Sequence, residues 1–97
     1  MTTDLCGLAT PALLLDQPRL QRNVTRIADR ARTLGVWLRP HVKTHKCVEV
    51  ARLQRAAGAT GLMVSTLAEA RVFAAHGFDD LTYGVPIEPG KSAVVCA

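Results

Sequence analysis

Strand-like and helix-like segments alternate along this chain after Gly35, and their order constrains the fold more than any other feature. The predicted order is a strand over 36–42, a helix over 47–57, a strand over 60–65, a helix over 67–76 and a strand over 80–85. Short connections in this order are typical of right-handed βαβ units. The sequence therefore predicts an α/β fold with a parallel sheet.

An amphipathic helix is predicted before these units. Asp16 and Pro18 are typical of a helix start, and Gly35 is placed to end the helix. Between them one apolar stripe recurs at steps of four and three, and it consists of Leu20, Val24, Ile27, Ala31 and Leu34. The apolar run Pro11–Leu15 predicts a short buried strand ahead of this helix.

The two later helices have their own boundary signals. Gly58 is placed to end the first, and Gly77 the second. Thr66 and Glu69 match a capping box, in which each side chain satisfies a free backbone amide of the other residue. The buried stripe of the first of these helices is predicted to be Val50, Leu53 and Ala57.

The predicted strand 36–42 has two different faces. Alternation places Val36, Leu38, Pro40 and Val42 on one side, and Trp37, Arg39, His41 and Lys43 on the other. The second set is too polar for an ordinary core, so it should line a cavity or face water. Pro40 cannot donate to a ladder, which predicts an edge position or a local irregularity.

Lys43 is the first candidate for chemistry. Ligands of parallel α/β folds bind at the carboxyl ends of the strands, and Lys43 lies at such an end beside His41. A lysine that is desolvated there can act as a nucleophile and form a Schiff base. An ordinary surface lysine is also consistent with this position, and the residues alone leave both interpretations open.

Other sites are not predicted. His41, His45 and Cys47 would suit zinc if the histidines shared a helix face, but they fall on a strand and a loop, so no metal site is expected in this chain. There is no glycine-rich phosphate loop and no nucleophile elbow. The pair Asp79-Asp80 is interpreted as turn chemistry.

Composition narrows the class of protein. With 48% hydrophobic and 21% charged residues the chain is typical of a soluble globular protein, and no apolar run suits a membrane span. The start resembles no secretory signal, so we expect a cytoplasmic location, where the three cysteines stay thiols.

A net charge of +4 leaves a basic nucleic-acid-binding module as an alternative. A solvated helix face explains the arginines of residues 19–32 equally well, and with 4% aromatics we expect no nucleic-acid partner.

Several motifs resemble one enzyme family. These are TPALLLD at 10–16, LRPHVKTHK at 38–46 and VSTLAEA at 64–70, continued by GFDD at 77–80 and YGVP at 83–86. In this order they resemble the D-threonine aldolase and D-serine dehydratase family, whose barrel is of the alanine racemase N-terminal type, fold type III of pyridoxal phosphate enzymes.

The resemblance implies a TIM-like (β/α)8 barrel that holds pyridoxal 5'-phosphate, followed by a smaller β domain. Residues 1–97 would be an N-terminal fragment with the first three barrel strands, and the rest of the barrel and the carboxyl-terminal β domain would be absent. Strand 36–42 would be barrel strand one, and 11–15 would belong with the β domain. The cofactor lysine is then Lys43 and not Lys46.

The implied activity is that of a pyridoxal-phosphate-dependent lyase acting on D-3-hydroxy amino acids, by aldol cleavage or dehydration. The resemblance makes Lys43 catalytic and cofactor-binding, with His41 as a second cofactor-binding residue; a merely structural His41 stays equally open. A divalent metal ion is implied, with ligands outside this chain. The alternatives are an amino-acid racemase and a cofactor carrier. A homodimer is one option for the full-length protein, and the chain by itself is expected to be inactive.

Overall fold

The computed structural model describes residues 4–96. From residue 48 to residue 83 its elements follow the predicted order of helix, strand, helix and strand. The helices are α1 (Gln17–Leu34), α2 (Val48–Ala56), α3 (Leu67–Ala75) and α4 (Ser92–Val95), and the strands are β1 (Leu62–Val64) and β2 (Leu81–Tyr83). A 3-10 turn, Pro89–Lys91, leads into α4. β1 precedes α3 in the chain and β2 follows it, and the two strands pair in parallel, which confirms the predicted βαβ arrangement.

The ends of α1 are those that the sequence predicts. The Asp16 carboxylate accepts a hydrogen bond from the Arg19 N–H at 3.0 Å, which caps the first turn. Gly35 ends the helix at φ 67°, in the left-handed conformation that glycine adopts without strain, and its N–H donates to the last carbonyls.

The buried face of α1 differs from the predicted stripe. Ala28 and Ala31 are buried, whereas Ile27 and Leu34 are 47% and 56% exposed. The least exposed positions of the helix are Leu20, Val24, Ala28 and Ala31. In α2 the buried positions are likewise Val50 and Ala51, and the predicted Leu53 and Ala57 are only half-buried.

Segment 36–42 is extended, but it does not form the full strand that the sequence predicts. It makes one parallel bridge, between His41 and Met63, with the Val42 N–H donating to the Met63 carbonyl at 3.0 Å. The next rung of a parallel ladder would require an N–H from residue 40 to the Gly61 carbonyl. Because Pro40 has no N–H, the ladder stops there, which is the local irregularity that the sequence predicts.

The prediction of a buried strand at 11–15 is wrong. Within residues 4–96 this stretch has no ladder partner, and Leu13, Leu14 and Leu15 are 103%, 65% and 66% exposed. An apolar run predicts burial only where another surface covers it, and the described chain supplies none here.

The core lies between the parallel strands and helices α2 and α3. Val42, Leu62 and Val64 point to this side and are 0–1% exposed. Phe73 and Phe78 complete the core edge to face, with ring centroids 5.7 Å apart. The strand residues between these, His41 and Met63, therefore face the other side of the sheet.

The surface carries two further features. Among residues 4–96 no helix is both long and apolar enough to cross a membrane. The three cysteines are unpaired thiols, as predicted, with Cys6 and Cys96 exposed and Cys47 half-buried.

Candidate functional site at the carboxyl edge of the sheet

Two polar residues follow neighbouring parallel segments at the carboxyl edge of the sheet. Lys43 follows Val42, and Ser65 follows Val64, the last residue of β1. Both valines are fully buried toward the helices, and a turn begins at Lys43 and a bend at Ser65. The Ser65 hydroxyl lies against the ring of His41, which faces away from the core.

The Lys43 amine is free among the described residues. The side chain is exposed, and within 4–96 its Nζ makes no hydrogen bond or ion pair. Of the two interpretations that the sequence leaves open, a desolvated lysine and a surface lysine, the described residues show the exposed one. What the structure does show is an accessible primary amine at the position where ligands of parallel α/β folds bind.

His41 joins Lys43 to β1. Its ring is half-buried, its Nδ1 accepts a hydrogen bond from the Lys43 N–H at 3.2 Å, and its Nε2 lies 3.1 Å from the Ser65 Oγ. Both ring nitrogens are thus engaged, one with the backbone of the candidate cofactor lysine and one with the neighbouring strand.

The Glu69 side chain holds the two residues that follow β1 by hydrogen bonds to their backbone. Its Oε2 accepts hydrogen bonds from the Ser65 N–H at 2.7 Å and the Thr66 N–H at 2.8 Å, while its own N–H donates to the Thr66 hydroxyl at 3.1 Å. This is the predicted capping box, extended by one residue to Ser65. The side chain is 8% exposed, so these bonds are shielded from water.

The ionisation of Glu69 follows from these contacts. Burial alone would raise the pKa of this carboxyl, but the two backbone N–H groups, the Thr66 side chain and the Lys46 charge outweigh it and lower the pKa below the ordinary 4.5. Glu69 is therefore an anion at neutral pH, and its Oε1 has no hydrogen-bond partner among residues 4–96.

Lys46, the other lysine of the LRPHVKTHK motif, is engaged elsewhere. Its backbone is left-handed at φ 48°, with its N–H donating to the Val42 carbonyl at 2.8 Å. Its Nζ lies 3.9 Å from Oε1 of Glu69. Of the two lysines, only Lys43 has an amine without a charged neighbour in the described chain.

His45 and Cys47 do not form a site with His41. The His45 Nδ1 accepts from the Cys47 N–H at 3.0 Å, and its Nε2 lies 3.1 Å from the Gln54 Oε1. The Cys47 thiol donates to Glu49 at 3.2 Å. In the part of the chain that the structure describes, no three His, Cys, Asp or Glu side chains are arranged to hold a metal ion.

The remaining members of the predicted polar face do not join Lys43. Trp37 is 89% exposed. Arg39 reaches the start of β2, where its guanidinium pairs with the Asp80 carboxylate at 2.8 Å and donates to the Asp80 carbonyl at 3.2 Å. Asp80, interpreted from sequence as a turn residue, thus pairs with Arg39 across β1, at the edge of the sheet away from Lys43.

Ser65 is the site residue that sequence reasoning missed. The sequence did contain a signal for Ser65, because this serine lies at the end of a predicted strand, as Lys43 does. The carboxyl ends of parallel strands meet at one edge of the sheet. The hydrogen bond to His41, 24 residues earlier in the chain, is what gives it a role.

The fold and this edge define an α/β protein built from parallel βα units, with a lysine at the strand end. A family model for the alanine racemase N-terminal domain matches residues 15–94. The chain belongs to this family, within the group of D-threonine aldolases and D-serine dehydratases that its motifs resemble.

Individual relatives are similar over nearly the whole chain. D-threo-3-hydroxyaspartate dehydratase of Delftia sp. (strain HT23) is 52% identical over 91 residues, which cover 94% of this chain and 24% of that protein. D-serine dehydratase of Dictyostelium discoideum is 37% identical over 93 residues, covering 91% and 23%. The crystal structure of D-threonine aldolase from Filomicrobium marinum superposes with a TM-score of 0.76 at 40% identity, covering 79% and 21%. The chain thus spans about a quarter of the length of the first two relatives.

Proposed function

We propose that the protein is a pyridoxal-phosphate-dependent lyase acting on D-3-hydroxy amino acids, in which Lys43 holds the cofactor. The observation that carries this proposal is the free Lys43 amine at the carboxyl edge of the parallel strands, tied by His41 to Ser65. The similarity to dehydratases and an aldolase of D-3-hydroxy amino acids supports the same substrate class.

We further propose that residues 1–97 form the first part of a (β/α)8 barrel whose remaining strands, with a carboxyl-terminal β domain, lie outside this sequence. The parallel order of segment 36–42, β1 and β2 supports this, as does the coverage of about a quarter of each relative. The exposed apolar stretch 11–15 is consistent with a surface that other parts of a larger protein cover.

The residues of this edge suit the proposed cofactor. Pyridoxal phosphate, when bound, supplies an electron sink for charge that develops at the substrate Cα. The Lys43 amine is the nucleophile that can link to its aldehyde, and no competing carboxylate holds that amine in the described residues. His41 holds the backbone N–H of this same lysine.

A divalent metal ion is proposed only for parts of the protein beyond this sequence. One solved variant of D-threo-3-hydroxyaspartate dehydratase is in a metal-free form, which is consistent with a metal in that relative. The described residues of this chain include no suitable cluster, so no role in the reaction is assigned to a metal here.

The relatives leave two reactions within this class. Dehydration removes water from the substrate, and hydrolysis of the resulting 2-imino acid takes up one water and gives a 2-oxo acid and ammonia. Aldol cleavage breaks the Cα–Cβ bond and yields glycine and an aldehyde. Product analysis with D-threonine, D-serine and D-3-hydroxyaspartate separates the two. A racemase is the second candidate, because the matching family model is that of alanine racemase, and it would invert the substrate without forming either set of products.

The decisive experiment is chemical trapping in the full-length protein. The protein is mixed with pyridoxal phosphate, reduced with borohydride and digested, and the labelled lysine is located by mass spectrometry. We expect the label on Lys43 and its loss in Lys43→Ala. Lys46→Ala is the matched control, since it removes a lysine three positions away that is already paired with Glu69, and it should keep the label.

A label on Lys46 in the unaltered protein would leave the cofactor class intact and refute the assignment of Lys43. No lysine label would refute the cofactor proposal itself.

A further inference from the structure

His41 and His45 have the same local arrangement, although they serve different partners. In each case Nδ1 accepts a hydrogen bond from the backbone N–H two residues later, that of Lys43 at 3.2 Å and that of Cys47 at 3.0 Å. A backbone N–H can only donate, so Nδ1 carries no proton in either ring. A neutral imidazole with a bare Nδ1 has its proton on Nε2.

The Nε2 proton of His41 then has a defined acceptor. Ser65 Oγ lies 3.1 Å from Nε2, so His41 donates and the serine oxygen accepts. The backbone of Ser65 is held in turn by the buried Glu69 carboxylate at 2.7 Å. The Lys43 amide is thus linked through His41 to the Ser65 side chain, and the backbone of that serine is held by a buried anion.

We propose that His41 is a positioning residue, held as the Nε2–H tautomer between Lys43 and Ser65, and that it orients the cofactor lysine without exchanging protons with the substrate. The role of Lys43 as cofactor lysine rests on the proposed function; the tautomer and the orienting contacts do not. Ser65 supplies the acceptor that the ring needs, and Glu69 holds the backbone of Ser65.

This role differs from that of a general acid or base. A histidine that transfers protons to substrate needs one ring nitrogen free to reach it. In His41 one ring nitrogen is occupied by the backbone N–H of Lys43 itself and the other by the Ser65 hydroxyl. Its effect on chemistry is therefore exerted through the placement of Lys43.

Three variants separate these roles. His41→Asn keeps an acceptor for the Lys43 N–H, because asparagine accepts from the amide two residues later in Asx turns. Its side chain is shorter than the histidine ring, so it loses the contact with Ser65. His41→Leu removes both contacts, and Ser65→Ala removes only the second. His45→Asn is the matched control, because it makes the equivalent change at a ring that does not contact Lys43.

The first measurement is the ring tautomer in the full-length protein without cofactor, from 15N-detected histidine spectra assigned with His41→Asn. We expect His41 with a bare Nδ1 and a protonated Nε2 at neutral pH. In Ser65→Ala we expect the same tautomer with a shifted Nε2 resonance, because only the acceptor of the Nε2 proton is lost. A protonated Nδ1 in the unaltered protein would overturn the proposal.

The second measurement is the rate at which added pyridoxal phosphate becomes reducible at Lys43. His41→Leu should slow it about fivefold, the effect of one lost hydrogen bond, whereas His41→Asn and His45→Asn should stay within about twofold of the unaltered protein. Equal rates for His41→Leu and His41→Asn would overturn the positioning role. If the unaltered protein takes no label, the proposed function fails, and the tautomer measurement still decides whether His41 is held as described.

Discussion

Replacement of Glu69 by glutamine tests how much the buried carboxylate contributes to this edge of the sheet. The carboxylate accepts two backbone hydrogen bonds on one oxygen, at 2.7 and 2.8 Å, from Ser65 and Thr66. A glutamine of the same length can keep a carbonyl oxygen at that position, so Glu69→Gln removes the negative charge and preserves the shape.

The magnitude follows from the difference between charged and neutral hydrogen bonds. Bonds to a charged group contribute about 1.5–3 kcal/mol each and neutral ones about 1, so two of them lose about 2 kcal/mol in total. The ion pair with Lys46 adds little, because the lysine side chain is 64% exposed and its Nζ is 3.9 Å away. We expect Glu69→Gln to lower the free energy of unfolding at pH 7 by about 2 kcal/mol.

The effect should depend on pH with a defined sign. The folded state lowers the pKa of Glu69 below 4.5, so the carboxylate stabilises the fold fully above that value. This contribution is lost as the pH falls through the folded-state pKa, where the unaltered protein becomes protonated and resembles the glutamine variant. Urea unfolding at a series of pH values should show the difference between the two proteins shrinking toward zero in acid.

Glu88→Gln is the control for the Glu69 experiment. Glu88 also accepts a backbone hydrogen bond, from the Gly90 N–H at 2.8 Å, but it is exposed. Its replacement should change the free energy of unfolding by less than about 0.5 kcal/mol at pH 7. A difference between the unaltered protein and Glu69→Gln that stays constant from pH 7 into acid would refute the reasoning, because it would show that the charge is not the stabilising element.

Two further predictions concern packing. Phe73→Ala should lower the free energy of unfolding by about 3–5 kcal/mol, measured by urea denaturation, because the ring is 2% exposed and packs edge to face on Phe78. Gly61→Ala should cost about 1–3 kcal/mol, since its Cβ would lie 2.7 Å from the Asp80 carbonyl and against the Arg39 guanidinium. Arg39→Ala in the same chain should not restore stability, because the backbone contact remains; full recovery would contradict this explanation.

Local signals predicted the helices well, because the interactions that start and end a helix lie within a few residues of one another. Asp16 and Gly35 bound α1 as expected. Thr66 and Glu69 form both halves of the predicted capping box of α3. Glycine conformation and side-chain capping are properties of short sequence stretches, so no knowledge of the tertiary fold was required.

Strand predictions were less successful, because a strand exists only through its partner. The apolar run 11–15 has the composition of a strand and remains unpaired in residues 4–96. Segment 36–42 alternates as a strand should, yet it makes a single bridge because Pro40 interrupts the ladder to Gly61. The buried face of α1 also shifted to Ala28, since a helix buries whichever side its neighbours approach.

The sequence by itself determined the order of elements, the family and Lys43 as the candidate cofactor lysine, since periodicity, capping residues and a specific motif are all readable along the chain. Only the tertiary structure decided that Lys46 pairs with Glu69 and that His41 spans from the Lys43 amide to Ser65. These contacts join residues up to 24 positions apart. Such pairs meet only when parallel strands come into register, and strand register is set by the packed sheet.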